Sequence, residues 1–195
     1  MAKQLKLDLP EWGGRRDGAG RPRTREHPGL DRPGVPHLAR PALSPRHPVH
    51  ATLRMQPGIG YLRSQRRTAV ILAALRAVSS RQDFQVVDYV ILGNHLHMLI
   101  EANDETGLSR GMQALEIRIA RRLNRLQNRR GGVFVDRYHA HALKTPRETA
   151  HALRYLKHNY RRHTHEHLPP RWSDPLAGRL APPRTWLLRN ADPAG

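Results

Sequence analysis

The stretch that decides the fold is Val86-Val-Asp-Tyr-Val-Ile-Leu-Gly-Asn-His-Leu-His-Met-Leu-Ile-Glu101. It predicts two apolar strands joined by a tight turn at Gly93-Asn94, followed at once by His95-Leu96-His97. Residues i and i+2 of a strand point to the same face, so the two imidazoles should lie side by side while Leu96 enters the core. Neutral imidazole is a common metal ligand, and the pair therefore predicts a divalent-metal site. Two hydrogen-bonded, idle histidines at a strand end are the alternative interpretation.

Spacing alone does not single out this pair, because the chain contains 13 histidines. A second pair, His139-Ala-His141, is predicted to lie on a strand. A third cluster, His163-Thr-His165-Glu-His167, is predicted at a charged helix end or in a loop. A choice between the three clusters needs information beyond the histidines themselves.

The composition indicates a single basic domain with a polyanionic partner. The chain has 195 residues, and 34 Lys plus Arg against 16 Asp plus Glu give a net charge of +18. Nucleic acid is the leading partner for such a charge, with a ribosomal or membrane-surface protein as the alternative. The absence of Cys excludes disulfides and thiolate zinc sites. The sequence has no apolar run of membrane-spanning length and no signal-peptide core, so we expect a soluble, cytoplasmic protein without a membrane partner.

Residues 1–44 are rich in Pro, Gly and Arg and lack apolar periodicity, which predicts a disordered basic arm. Within it, Gly18-Ala-Gly-Arg-Pro-Arg23 resembles an AT-hook. In such a segment Arg21 and Arg23 would enter a narrow minor groove. The alternative is a flexible cationic tail that touches phosphates without preference.

Periodicity from residue 45 onward predicts an α+β domain over 45–167, followed by a Pro-rich tail over 168–195 with Trp172 and Trp186 as possible anchors. The predicted elements are a strand at 48–55, a helix after Ser64, the hairpin strands at 84–92 and 95–102, a long helix at 108–127, a strand at 133–144 and a last helix from Thr145 to about Arg162. This β-α-β-β-α-β order, with an added C-terminal helix, is that of a ferredoxin-like antiparallel sheet.

The long helix predicts a nucleic-acid surface. Its apolar residues form one buried stripe, and the remaining surface carries several arginines. The predicted DNA contacts are Arg118, Arg121, Arg122 and Arg125. A solvated charged face is the alternative.

The last helix begins with the capping box Thr145-Pro-Arg-Glu148. At 100° per residue, Leu153, Leu156 and Tyr160 form its core side, whereas Tyr155 shares a polar side with Asn159 one turn later. Tyr160 is therefore interpreted as a packing residue. Taken alone, Tyr155 reads as an ordinary half-exposed tyrosine.

Together, Gly93-Asn-His-Leu-His-Met-Leu, the Arg-rich helix and Tyr155-Leu-Lys-His-Asn159 resemble the HUH single-tyrosine transposases. The similarity is greatest to the insertion-sequence-200-like group and the REP-associated tyrosine transposases, and it covers about 45–165. Those families carry an Asn-His-hydrophobic-His strand and a late helical Tyr-x-x-x-Asn or Tyr-x-x-x-Gln. Tyr160 stands where the family usually has Pro.

The resemblance implies that His95, His97 and Asn159 bind Mg²⁺ or Mn²⁺ and that Tyr155 is the nucleophile. It implies cleavage and rejoining of single-stranded or hairpin DNA through a 5′-phosphotyrosine, as in DNA transposition, and a possible homodimer. Two alternatives stay open. One is an inactive or domesticated nucleic-acid-binding module, and the other is a metal-dependent nuclease that uses water, with Tyr155 incidental.

Overall fold

The computed structural model describes residues 41–79, 81–163, 168–169 and 172–191. The predicted AT-hook-like segment with Arg21 and Arg23 lies outside these residues. The elements are β1 (Val49–Arg54), α1 (Gln65–Ser79), β2 (Phe84–Ile91), β3 (His95–Ala102), α2 (Glu105–Leu126), β4 (His139–Ala142), α3 (Pro146–His163), β5 (Ala177–Arg179) and α4 (Trp186–Ala191). None of these helices is long and apolar enough to cross a membrane.

The β2–β3 hairpin lies at the centre of a five-stranded antiparallel sheet with the order β4-β1-β3-β2-β5. The first four strands have the order of the ferredoxin-like fold, so the predicted fold class is confirmed. The turn of the hairpin lies at Gly93-Asn94, as the sequence predicted, and the Tyr61 ring packs against it. A side-chain carbon added at Gly93 would lie 3.2 Å from the Tyr61 ring.

Each face of the sheet buries its own apolar cluster. One face packs against α1 and α2 through residues such as Leu53, Met98 and Leu115. The other face packs against α3 and α4 through residues such as Leu99 and Leu156. Strand alternation therefore decides which helix each side chain meets, and His95, His97, His50 and Thr52 all belong to the α3 face.

The predicted capping box at the start of α3 is present. The Glu148 backbone N–H donates to the Thr145 hydroxyl at 3.2 Å, and the Glu148 carboxylate accepts from the N–H groups of Thr145 at 3.2 Å and Lys144 at 2.6 Å. Donors that the helix would leave unpaired at its N-terminus are satisfied in this way. The first turn of α3 is thereby fixed to the segment Lys144–Thr145 that leads into it.

Two predicted elements differ in extent from the structure. The long helix begins at Glu105 rather than at residue 108, because the Asp104 carboxylate accepts from the Gly107 N–H at 2.6 Å and caps the helix earlier. The strand predicted over 133–144 is regular only at His139–Ala142, with an isolated bridge from Met55 to Phe134 before it.

The Pro-rich C-terminal segment carries two elements that periodicity did not predict, β5 and α4. It is fixed by Asp174, which forms a bidentate ion pair at 2.8 Å with Arg63 just before α1. The Arg63 guanidinium also lies 3.6 Å from the centre of the Tyr160 ring, which in turn packs against Trp172. Trp172 thus acts as an anchor, whereas Trp186 is 62% exposed.

Candidate active site on the α3 face of the sheet

His97 and Tyr155 meet where α3 crosses β3. The Tyr155 hydroxyl lies 3.3 Å from Nε2 of His97, and the two rings meet edge to face with centroids 5.0 Å apart. His97 is 6% exposed and Tyr155 is half-buried. Residues 58 positions apart in sequence therefore form one hydrogen-bonded pair.

The other ring nitrogen of His97 is held by β1. Nδ1 lies 3.0 Å from the Thr52 hydroxyl and 3.2 Å from Nε2 of His50. Thr52 is the direct cross-strand partner of His97 in the β1–β3 register. When Nδ1 carries the proton and donates it to Thr52, the lone pair of Nε2 is directed at the Tyr155 hydroxyl.

Sequence reasoning missed His50 and Thr52 as site residues. The available signal was the alternation of β1, which places both on the strand side opposite Ala51 and Leu53. The sequence does not say which side of β1 meets the HUH strand, so only the strand order identifies them.

His95 lies beside His97, as the strand period predicted, with ring centroids 4.9 Å apart. Its Nδ1 lies 2.7 Å from the Asn94 side-chain oxygen, and either ring nitrogen of a neutral imidazole can in principle bind a metal. The two histidines therefore form a pair on the α3 face, with His95 nearer the turn between β2 and β3.

Asn159 follows Tyr155 by one turn of α3. It is fully buried, and neither its side-chain nitrogen nor its oxygen has a hydrogen-bond partner. Burying an unpaired amide is costly, so such a group in a native site calls for a ligand. The sequence placed Asn159 on a polar side of the helix, and the structure shows that Asn159 itself is buried.

An amide oxygen and water are ligands that suit Mg²⁺ or Mn²⁺, and the two imidazoles of His95 and His97 favour Mn²⁺ over Mg²⁺. No three His, Asp or Glu side chains within the described ranges gather into a metal-binding group. A metal held by His95 and His97 would therefore need a third ligand of another type, and the buried, unpaired amide of Asn159 is a candidate.

The second His-x-His pair lies at the edge of the same face. His141 is directly opposite His50 across the β1–β4 ladder, and His139 is opposite Thr52. Burial, followed by the charges of His139 and His141, lowers the pKa of His50 from its usual 6.5 to about 4. His50 is therefore neutral at pH 7. Of the third cluster, residues 164–167 lie outside the described part of the chain.

The predicted DNA contacts on α2 are not brought to this site. All four arginines, Arg118, Arg121, Arg122 and Arg125, are exposed on a helix that packs against the opposite face of the sheet. The exposed cation nearest to Tyr155 in sequence is Arg154, its neighbour on α3.

A ferredoxin-like sheet with a His-x-His strand facing a helical tyrosine defines the class of HUH single-tyrosine transposases. Consistent with this, the family model described as "Transposase IS200 like" matches residues 47–159. The chain belongs to that family. The matched region begins just before β1 and ends at Asn159, so it contains the whole site.

A solved structure described as a REP-associated tyrosine transposase bound to a REP hairpin is similar in fold. The similarity has a TM-score of 0.53 at 14% sequence identity, and it covers 66% of this chain and 74% of the other. No curated protein sequence matches the chain.

Proposed function

We propose that the protein cleaves and rejoins single-stranded DNA through a covalent 5′-phosphotyrosine at Tyr155, as the strand-transfer enzyme of a transposition reaction. The observation that carries the proposal is the 3.3 Å contact between the Tyr155 hydroxyl and the buried His97 in a chain of the IS200-like transposase family. The contact brings a hydroxyl nucleophile to the second histidine of the HUH strand, the position at which the family resemblance expects it.

The chain's own residues supply the nucleophile and its orientation. Tyr155 Oη gives up its proton to solvent and attacks the scissile phosphorus, the bond from phosphorus to the 3′-oxygen breaks, and the leaving oxygen takes up a proton from solvent as a free 3′-OH. The phosphotyrosine bond conserves the phosphodiester energy, so a 3′-OH from another strand end can attack it and release Tyr155. No nucleotide hydrolysis is required.

A phenol has a pKa near 10 and is a weak nucleophile at neutral pH, so the site needs additional charge stabilisation. Mg²⁺ or Mn²⁺ held by His95, His97 and Asn159 would supply it by polarising the phosphate and neutralising charge on the leaving oxygen. Thr52 and His50 orient His97 from the other side of its ring. This shell of partners favours one orientation of the imidazole.

The partner that we propose is DNA with a single-stranded or hairpin end. The net charge of +18 suits a phosphate backbone, and the similar solved structure holds a REP hairpin. Arginines of α2 and of the N-terminal arm remain proposed backbone contacts. Because α2 lies against the opposite sheet face, it would bind a part of the DNA distant from the cleaved bond.

The test is covalent capture. The protein is incubated with Mn²⁺ and a labelled pool of single-stranded DNA hairpins with randomised flanks, and the products are separated on a denaturing gel. We expect a protein–DNA band that Tyr155→Phe abolishes and Tyr160→Phe retains. Tyr160 is the matched control because it lies on the same helix but packs against Arg63 and Trp172.

Each of the other outcomes would contradict part of the proposed function. A band that persists in Tyr155→Phe refutes the nucleophile assignment. Cleavage without a band indicates a nuclease that uses water. Binding without either product indicates a DNA-binding module that has lost its chemistry.

A further inference from the structure

A cavity of about 540 Å³ opens beside Tyr155, between α3 and the edge of the sheet. Its strand side is formed by His50 of β1 and His141 of β4, with Leu143 just beyond β4. Its helix side is formed by His151, Arg154 and Tyr155. The cavity shares His50 and Tyr155 with the site, but the roles proposed above for these two residues do not use this space.

The walls of the cavity combine flat rings with apolar surface. His50 and His141 are direct cross-strand partners, so their imidazoles project side by side from the sheet. His151 lies one helical turn before Tyr155 and faces the same space. Leu143 is buried at 3% exposure. Rings and apolar side chains of this kind suit the face of an unstacked nucleobase.

The charges at the cavity suit a phosphate at its rim. Arg154 is exposed and supplies a guanidinium next to the nucleophile in sequence. Glu148 also lines the cavity, but its carboxylate accepts from the backbone N–H groups of Lys144 and Thr145. Its charge is therefore offset by the N-terminal end of α3 and does not stand alone against a phosphate.

We propose that this cavity binds one unstacked nucleotide of the DNA strand adjacent to the scissile phosphate, with the base among the imidazoles and the phosphate at Arg154. The inference rests on the proposed function, since it takes the ligand to be single-stranded DNA. A volume within the usual ligand-pocket range of roughly 300–1,000 Å³ accommodates one nucleotide. The second His-x-His motif of the sequence thereby has a role in substrate binding.

The experiment separates base binding from backbone binding without requiring cleavage. All proteins carry Tyr155→Phe, which keeps the ring but prevents covalent capture. Fluorescence anisotropy gives the Kd for a labelled strand of about ten thymidines and for a strand of equal length made of abasic deoxyribose phosphates. The Kd of the abasic strand divided by the Kd of the thymidine strand reports the contribution of the bases.

We expect His141→Ala and His151→Ala each to lower this ratio at least about five-fold, which is the low end of the loss of one base stack. Arg154→Gln should weaken the binding of both strands alike and reduce the slope of log Kd against log salt concentration by about one. His158→Ala is the matched control, because His158 is an exposed histidine of α3 that does not line this cavity. Its ratio should be unchanged.

An unchanged ratio in both His141→Ala and His151→Ala overturns the proposal. A second measurement needs no cavity variant: one 4-thiothymidine in the thymidine strand is photo-cross-linked and the adduct is mapped by mass spectrometry. Adducts at His50 or within 139–155 are expected, and adducts found only elsewhere refute the site. Loss of the covalent band in the gel assay, with these binding results intact, would refute the proposed chemistry alone.

Discussion

Thr52→Val is the substitution that most directly tests how the site is built. Valine has nearly the shape of threonine but lacks the hydroxyl that lies 3.0 Å from Nδ1 of His97. After the change, the remaining partner of Nδ1 among the contacts described above is His50, whose Nε2 is 3.2 Å away. Removal of the hydroxyl therefore weakens the orientation of His97 without removing any proposed metal ligand.

The expected effect is a loss of metal affinity. Losing a partner that orients a metal-bound histidine typically costs ten- to hundred-fold in affinity. Since His50 still contacts the same nitrogen, we expect the lower end, about ten-fold, or roughly 1.4 kcal/mol. Isothermal titration of the DNA-free protein with Mn²⁺ measures this directly and does not depend on catalysis.

Thr68→Val is the matched control. Thr68 is buried, and its hydroxyl donates to the Leu62 carbonyl at 3.1 Å, away from the HUH strand. It should lower the melting temperature and leave Mn²⁺ affinity unchanged. If Thr52→Val binds Mn²⁺ within two-fold of the unmodified protein, or if both variants lose affinity equally, the orienting role of Thr52 is wrong.

Three further substitutions test the scaffold. Gly111→Ala would place a carbon 2.2 Å from the Phe84 ring, so we expect overpacking to cost about 3 kcal/mol of unfolding free energy in urea. Asp174→Asn leaves the Arg63 guanidinium, whose side chain is 8% exposed, without its buried charge partner and should cost about 3 kcal/mol or more in the same assay. The hydrogen bond that the Lys144 N–H donates to the Glu148 carboxylate is the main cause that lowers the pKa of Glu148 below its usual 4.5, and the Thr145 N–H acts in the same direction. The ionised carboxylate therefore stabilises the fold above pH 4.5, and the difference between the unmodified protein and Glu148→Gln should vanish as acidification protonates it.

Each of these predictions has a result that would contradict it. Gly58→Ala is the control for the glycine, since an added carbon there has nothing within 4 Å, and equal stability of the two variants would exclude the clash. Asp88→Asn breaks a more exposed pair with Arg179 and should cost no more than about 1 kcal/mol. If Asp174→Asn costs no more than that, the buried pair contributes little. A constant stability difference at every pH would show that the Glu148 charge is not involved.

The predictions from sequence were confirmed where the regular geometry of the backbone fixes which way successive side chains point. Strand alternation placed His95 and His97 on one face, and the capping box located the first turn of α3. The same reasoning missed β5 and α4, because three strand residues and six helical residues within a Pro-rich segment are too short to show a period. These two elements are held mainly by tertiary contacts such as the ion pair at Asp174.

The sequence by itself determined that His95 and His97 share a side of one strand and that Tyr155 and Asn159 are one helical turn apart. Both facts follow from local backbone geometry. Only the tertiary structure decided that α3 packs on the histidine-bearing face, that β1 brings Thr52 and His50 to His97, and that the arginines of α2 lie against the other face. The reason is that a period defines the sides of an element, whereas its partner on each side depends on how strands are ordered and on where apolar surface is buried.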